Sequence, residues 1–325
     1  MKIGMAIGMA ISGTILAVVV LVLFMNSRPG GADEGSGNIT DTNLAEQKLP
    51  DGLPSFELAT NDQPADADAL VKAGSEADRL SGGGIDLEEY VQLTQPVIDT
   101  MIAAAGGSLE QGFIDKRTPA KRFESPEVKN AMIGLQKAVS EHIKLLIEQG
   151  QYNAAREIAS AYHRLGKQMF EKNVRLKARQ RGLLIMRSAV QNLGRIGYEA
   201  NADGVFDDTQ YKAITDDTGK WLEAIKQIDD TWNSKLKTTE SINAEKDLPN
   251  ISDLVKIANE DKDRTFRVYA ALRLGYAVYE RGDPGNQEAI NAALDKLENS
   301  DDKMVAEAAK AGRSIKDKDE YYSLR

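Results

Sequence analysis

The 325-residue chain contains no cysteine. That absence excludes disulfide staples, thiolate zinc sites, iron–sulfur ligation, a cysteine nucleophile and a lipid-modified N-terminal cysteine. Imidazole chemistry is nearly absent too, because only His142 and His163 occur and neither sits in an H-x-x-x-H or H-E-x-x-H pattern. There is no G-x-S-x-G elbow and no phosphate-binding loop. Acid pairs such as Asp216-Asp217 and Asp229-Asp230 are neighbours in sequence, so their carboxylates diverge on a helix, and nothing selects two of them for glycosidase chemistry. We therefore expect no enzyme, no cofactor and no bound metal. Long apolar runs are also scarce: there is one, at the N-terminus.

The formal net charge is −9, and its distribution matters more than its size. Residues 29–90 hold 14 acids and 3 bases, whereas residues 91–325 hold 36 of each. The acidity belongs to one segment, and the remainder is balanced.

Ile3 to Met25 carries no charged side chain. As a helix it spans about 34 Å at ~1.5 Å per residue, against a hydrocarbon core of ~30 Å. A cleaved signal peptide has an apolar region of ~7–15 residues and a small-residue cleavage site; this run is longer and leads into Asn26-Ser27-Arg28-Pro29. Residues 1–28 are expected to be a single-pass signal-anchor in the cytoplasmic membrane. Lys2 and the amino terminus bias the N-terminus inward, which places the C-terminal part outside, in the periplasm of a double-membraned bacterium. Gly4, Gly8 and Ser12 recur every four residues, a spacing that would let two such helices pair as a homodimer.

Residues 29–85 read as a flexible acidic linker. Pro29-Gly30-Gly31, Gly35-Ser36-Gly37, Pro50-Asp51-Gly52, Pro54, Pro64 and Ser81-Gly82-Gly83-Gly84 interrupt every candidate element, leaving only a transient helix over Leu70 to Leu80. A coil of that length reaches roughly 40 Å on average.

From residue 86 the period changes to that of helices, and the fold class is all-α. Asp86-Leu87-Glu88-Glu89 resembles a capping box opening a helix to about Ala105, with Pro96 inside and Gly106-Gly107 as the stop. Ser125-Pro126 opens a second, whose apolar face is Val128, Met132, Leu135, Val139, Ile143 and Leu146. Gly150 ends it, and Tyr152, Ala155, Ile158, Ala159, Tyr162 and Leu165 line the next. Leu183, Met186, Val190 and Leu193 mark another helix to Gly197, and Trp221, Ile225, Ile228, Trp232 and Leu236 one more. No segment shows strand alternation.

Two C-terminal stretches align at an offset of about 39 residues, Leu254 to Gly275 and Ala293 to Ile315. Each has a Leu-containing helix, an Asp-containing turn, a hydrophobic residue (Phe266, Val305) and an alanine four positions on (Ala270, Ala309). This pattern resembles the HEAT repeat family. The resemblance implies stacked helical hairpins over residues 246–325, with Asp261 and Arg267 at the positions that link adjacent repeats; in the second copy Asp301 matches and Ala306 replaces the Arg. Gln149-Gly150-Gln151-Tyr152, with Ala155, is similar to a tetratricopeptide-repeat turn, which implies such hairpins within residues 86–245.

The densest charge feature runs from Arg164 to Arg195, where the bases face the single acid Glu171. On one continuous helix Arg164, Lys167, Lys172, Arg175 and Arg179 share a stripe, a candidate partner-binding surface for an anion. Glu199, Asn201, Asp203, Gly204 and Asp207 approximate a calcium loop, yet position twelve is Gln210, which offers no bidentate carboxylate. The run 203–214 is also similar to a turn of peptidoglycan-binding domains, but Asp207 replaces its glycine, so an inter-helix loop is the reading. The expected function is a membrane-anchored helical-repeat scaffold that binds other envelope proteins. The alternative is an anionic envelope polymer or lipid headgroups held by residues 164–195; nucleic acid is not expected.

Overall fold

The computed structural model describes residues 48–56, 65–107, 126–172, 176–239, 251–281 and 284–316. The expected membrane segment 1–28, with Gly4, Gly8 and Ser12, lies outside the described residues, as do residues 29–47 and 57–64 of the expected linker. Among the described residues no helix is long and apolar enough to cross a membrane.

The described residues form ten helices and no strand. They are α1 (Ala67–Ser81), α2 (Leu87–Gly106), α3 (Pro126–Glu148), α4 (Tyr152–Lys172), α5 (Leu176–Ala202), α6 (Asp208–Thr239), α7 (Ile251–Glu260), α8 (Arg264–Arg281), α9 (Pro284–Glu298) and α10 (Lys303–Arg313). Several of their ends follow from side-chain chemistry. The Asp66 and Asp86 carboxylates accept from the Ala69 and Glu89 amides, both at 2.9 Å, and open α1 and α2. Gly150 adopts a φ of +70°, and the Gly150 and Gln151 amides close on the Ile147 and Leu146 carbonyls, which ends α3 and lets α4 begin at once.

The expected linker 29–85 needs correction at its end. Residues 67–81 are a helix packed on α3, with Leu70, Val71, Gly74 and Ala77 buried. The glycines that follow set the turn into α2 rather than a free tether. Residues 48–56 are neither helix nor strand, turn at Asp51-Gly52, and lie against the helices, their Leu49, Leu53 and Phe56 covering a core cluster.

Packing follows chain order within α1–α6 and within α7–α10, where each helix touches chiefly its near neighbours in sequence; the order breaks between α6 and α7, and α5 meets α8 there instead. Three of these contacts are made backbone to backbone through glycine. A Cβ on Gly134 would lie 2.1 Å from the Gly74 carbonyl oxygen, one on Gly182 would lie 2.7 Å from that of Gly166, and one on Gly275 would lie 2.1 Å from that of Gly312. These bring α1 to α3, α4 to α5 and α8 to α10. The outer pairs run parallel, since Arg264 and Gly275 of α8 meet Asp302 and Gly312 at the matching ends of α10.

Two cores result at the ends, one from α1–α5 around Ile98, Leu135, Ile143 and Leu165, the other from α7–α10 around Leu254, Leu274, Leu294 and Val305. An aromatic cluster lies between them: Phe170, Trp221 and Trp232 with Phe266 and Tyr269.

Candidate functional site

The basic stretch does not form one stripe. The helix stops at Lys172 and restarts at Leu176, so α4 and α5 are an antiparallel hairpin joined by three residues. Arg164 and Lys167 are half-exposed on α4, and Lys167 pairs with Glu171 at 3.9 Å. Arg175 and the Lys172 side chain lie outside the described residues.

Arg179 faces inward, with only 5% of its surface exposed. Its guanidinium stacks 4.3 Å over the Phe170 ring and 5.2 Å over Trp232, reaches the fully buried Asp263 at 3.4 Å, and donates to the Thr265 hydroxyl. Rings flank the charge and a carboxylate neutralises it, which is how an arginine is tolerated in a core. This is a junction between α5 and α8, not a solvent-facing cation.

Asp263 has a second task, accepting from the Thr265 amide at 2.9 Å to open α8; Asp302 does the same for the Met304 amide of α10. The HEAT comparison placed the turn acids at Asp261 and Asp301. The helix-opening acids are instead two and one residues later, and they keep the 39-residue spacing of Phe266 and Val305. Asp261 receives the Lys235 ammonium at 3.0 Å and the Asp263 amide at 2.8 Å. Arg267 reaches Asp302 at 2.7 Å, joining the start of α8 to that of α10.

Hydrogen bonds tie the Glu199–Gln210 segment together. Tyr152 donates to the Asp203 carboxylate, which raises the phenol pKa to about 12. Asp207 and Gln210 exchange hydrogen bonds of 3.0 and 2.8 Å as the box that opens α6, and Gly204 makes the turn at a φ of +71°. Among the described residues no group of metal-ligating side chains is assembled. Asp203, Asp207 and Gln210 of the calcium reading take part in these contacts.

The two histidines sit in different surroundings. His142 Nε2 lies 3.0 Å from the Thr94 hydroxyl, and burial lowers its pKa to about 4. His163 meets the edge of Phe56 at 4.8 Å and of Trp221 at 4.3 Å, and its Nε2 has no hydrogen-bond partner among the described residues. Burial first, and the nearby Lys167 second, lower its pKa to about 3.

Around that ring lies the most site-like feature of the molecule. The Trp221 indole donates to the Pro54 carbonyl at 2.8 Å, Phe56 closes over Trp221 and His163, and Leu49 and Leu53 cover the aromatic cluster. Beyond Phe56 a cavity of about 40 Å³ continues between α4, α5 and α6, with Arg156 and Asp217 at its wall. Sequence reasoning missed this groove; its one available signal was the apolar spacing of Leu49, Leu53 and Phe56 inside a proline-broken segment.

No protein-family model, no curated protein and no solved structure matches the chain.

Proposed function

We propose that the chain is a membrane-anchored, non-enzymatic scaffold of stacked helical hairpins that binds other proteins of the cell envelope. The observation that carries this reading is the order of packing, in which each helix rests on its near neighbours in sequence. Such a body presents long faces rather than a closed pocket. On α5, Leu184 and Tyr198 remain 58% and 56% exposed. They are fourteen residues apart and share a face at ~100° per residue. The Arg267–Asp302 pair and the Gly275–Gly312 contact support the HEAT-like comparison, because they join the corresponding helices, α8 and α10, of consecutive hairpins.

The test places a photocrosslinking residue at Leu184 or Tyr198 in the full chain in intact membranes, with buried Leu193 as control. Discrete adducts from the first two and none from the third are expected. Equal labelling at all three overturns the reading. The anchor is checked separately with a reporter at Arg325, which should be active only outside the cytoplasm.

A second reading, retention of an anionic polymer or lipid headgroups, rests on Arg164 and Lys167, since Arg179 is buried. Reversing both charges should abolish binding to anionic vesicles while leaving the α5 crosslinks intact.

A further inference from the structure

Residues 48–56 differ from every other described part of the body. They are neither helix nor strand, turn at Asp51-Gly52 where Gly52 has a φ of +78°, carry Pro50 and Pro54, and cross helices far away in sequence, with the Trp221 indole bound to the Pro54 carbonyl 167 positions earlier. Leu49, Leu53 and Phe56 are only partly buried, whereas the walls beneath them, Trp221 at 2% and His163 at 4% exposure, are closed. The contact is thus made by side chains that stay partly open and that lie over two buried rings. An indole N–H offered to a carbonyl next to proline, flanked by aromatic faces, is the general chemistry by which proline-containing peptides are held.

We propose that the groove between α4 and α6 is a peptide-recognition site, and that the chain's own residues 48–56 cover it until a partner replaces them. The partner is a proline-containing segment of another protein that turns as Asp51-Gly52 does and carries apolar side chains at the spacing of Leu49, Leu53 and Phe56. The commitment to this occupant comes from the segment seated there: its anchor spacing, its prolines and its carbonyl contact specify what the walls accept. The small cavity beyond Phe56, with Arg156 and Asp217 at its wall, would take the residue after the last anchor and gives that end a polar preference. This inference deepens the scaffold reading and rests on it for the partner's identity as an envelope protein.

The probe is a fluorescent peptide of residues 46–58, added to the full chain. Wild type should bind it weakly, because the tethered copy competes at high effective concentration. Full-length Phe56→Ala, and a Leu49→Ser/Leu53→Ser/Phe56→Ser variant, should bind it at least tenfold more tightly by anisotropy, with competition by unlabelled peptide. Trp221→Phe in the Phe56→Ala background should reverse that gain, since it keeps a ring and removes the N–H. Phe56→Ala changes one partly exposed side chain, so the test stands even if the triple variant does not fold. Folded Phe56→Ala with wild-type peptide affinity overturns the proposal, as does a wild-type dimer in light scattering that Phe56→Ala abolishes, which would assign the groove to a second copy. Failure here with the α5 crosslinks intact sinks the groove and leaves the scaffold; peptide binding without those crosslinks does the reverse.

Discussion

Replacing Arg179 by methionine keeps an apolar stem against Phe170 and Trp232 but leaves the Asp263 carboxylate, wholly buried, without this partner. Breaking a buried pair from one side costs about 3–5 kcal/mol. Arg179→Met should lower the unfolding free energy by about 3 kcal/mol, read from the urea midpoint at constant slope. Adding Asp263→Asn should recover part of the loss, because asparagine still caps α8 and carries no charge. At His163 the expectation concerns pH. The folded ring titrates at about 3 and an unfolded one at about 6.5, so between those values the unfolded chain binds the extra proton. Stability is full above about pH 6.5 and declines as pH falls toward 3, with His163 accounting for on the order of 3 kcal/mol at pH 4. His142 adds in the same direction. His163→Gln should flatten the dependence of the urea midpoint between pH 7.5 and 4; an unchanged slope would remove His163 from the account. Neither residue's role could be read locally. A charge stripe assumes one helix, and it fails once the chain has reversed between α4 and α5 and an acid 84 positions away supplies the counter-charge.

At the scale of the helix, sequence was a good guide to elements and a poor one to their contacts. Asp86, Gly150 and the apolar faces of α3 to α6 act through local chemistry, and the faces expected there are buried: Leu135, Val139 and Ile143 on α3, and Tyr152 through Leu165 on α4. Met132 and Leu146 on α3 and Leu236 on α6 are half-exposed instead, and the Val128 side chain lies outside the described residues; Ile147 is buried beside Leu146, a drift that accumulates when a 3.6-residue period is read in steps of three and four. The glycine contacts were invisible, because a glycine inside a helix reads as a weakness until its opposite number is known. They make a paired test. Gly275→Ala would place a methyl 2.1 Å from backbone atoms of Gly312 and should cost about 2–3 kcal/mol of overpacking. Gly219→Ala, in the exposed interior of α6 with nothing within 4 Å, should instead stabilise by about 0.5–1 kcal/mol. Thermal unfolding of the two variants should move in opposite directions.

For the whole molecule, the aromatic cluster decides whether the two end cores unfold together. Trp232 stacks on Phe170 from α4 at 5.7 Å and meets Phe266 from α8 at 6.3 Å, and Arg179 and Asp263 cross the same junction. In a body of near-neighbour contacts, cooperativity is carried by such interfaces. Wild type should show coincident transitions by circular dichroism and tryptophan fluorescence. Trp232→Leu should separate them, with the α7–α10 core melting first because its helices are shorter.

The reach from Pro54 to Trp221 fixes an order of events in synthesis. Most contacts here join segments that leave the ribosome within moments of one another, so helices can pair vectorially as they emerge, and local topology of this kind folds fast. Residues 48–56 emerge among the earliest of the described segments, yet nothing exists to receive them until α6 has been made and has settled on α5. They dock late by necessity, and throughout that interval the nascent chain displays an open aromatic face to whatever is waiting beside it.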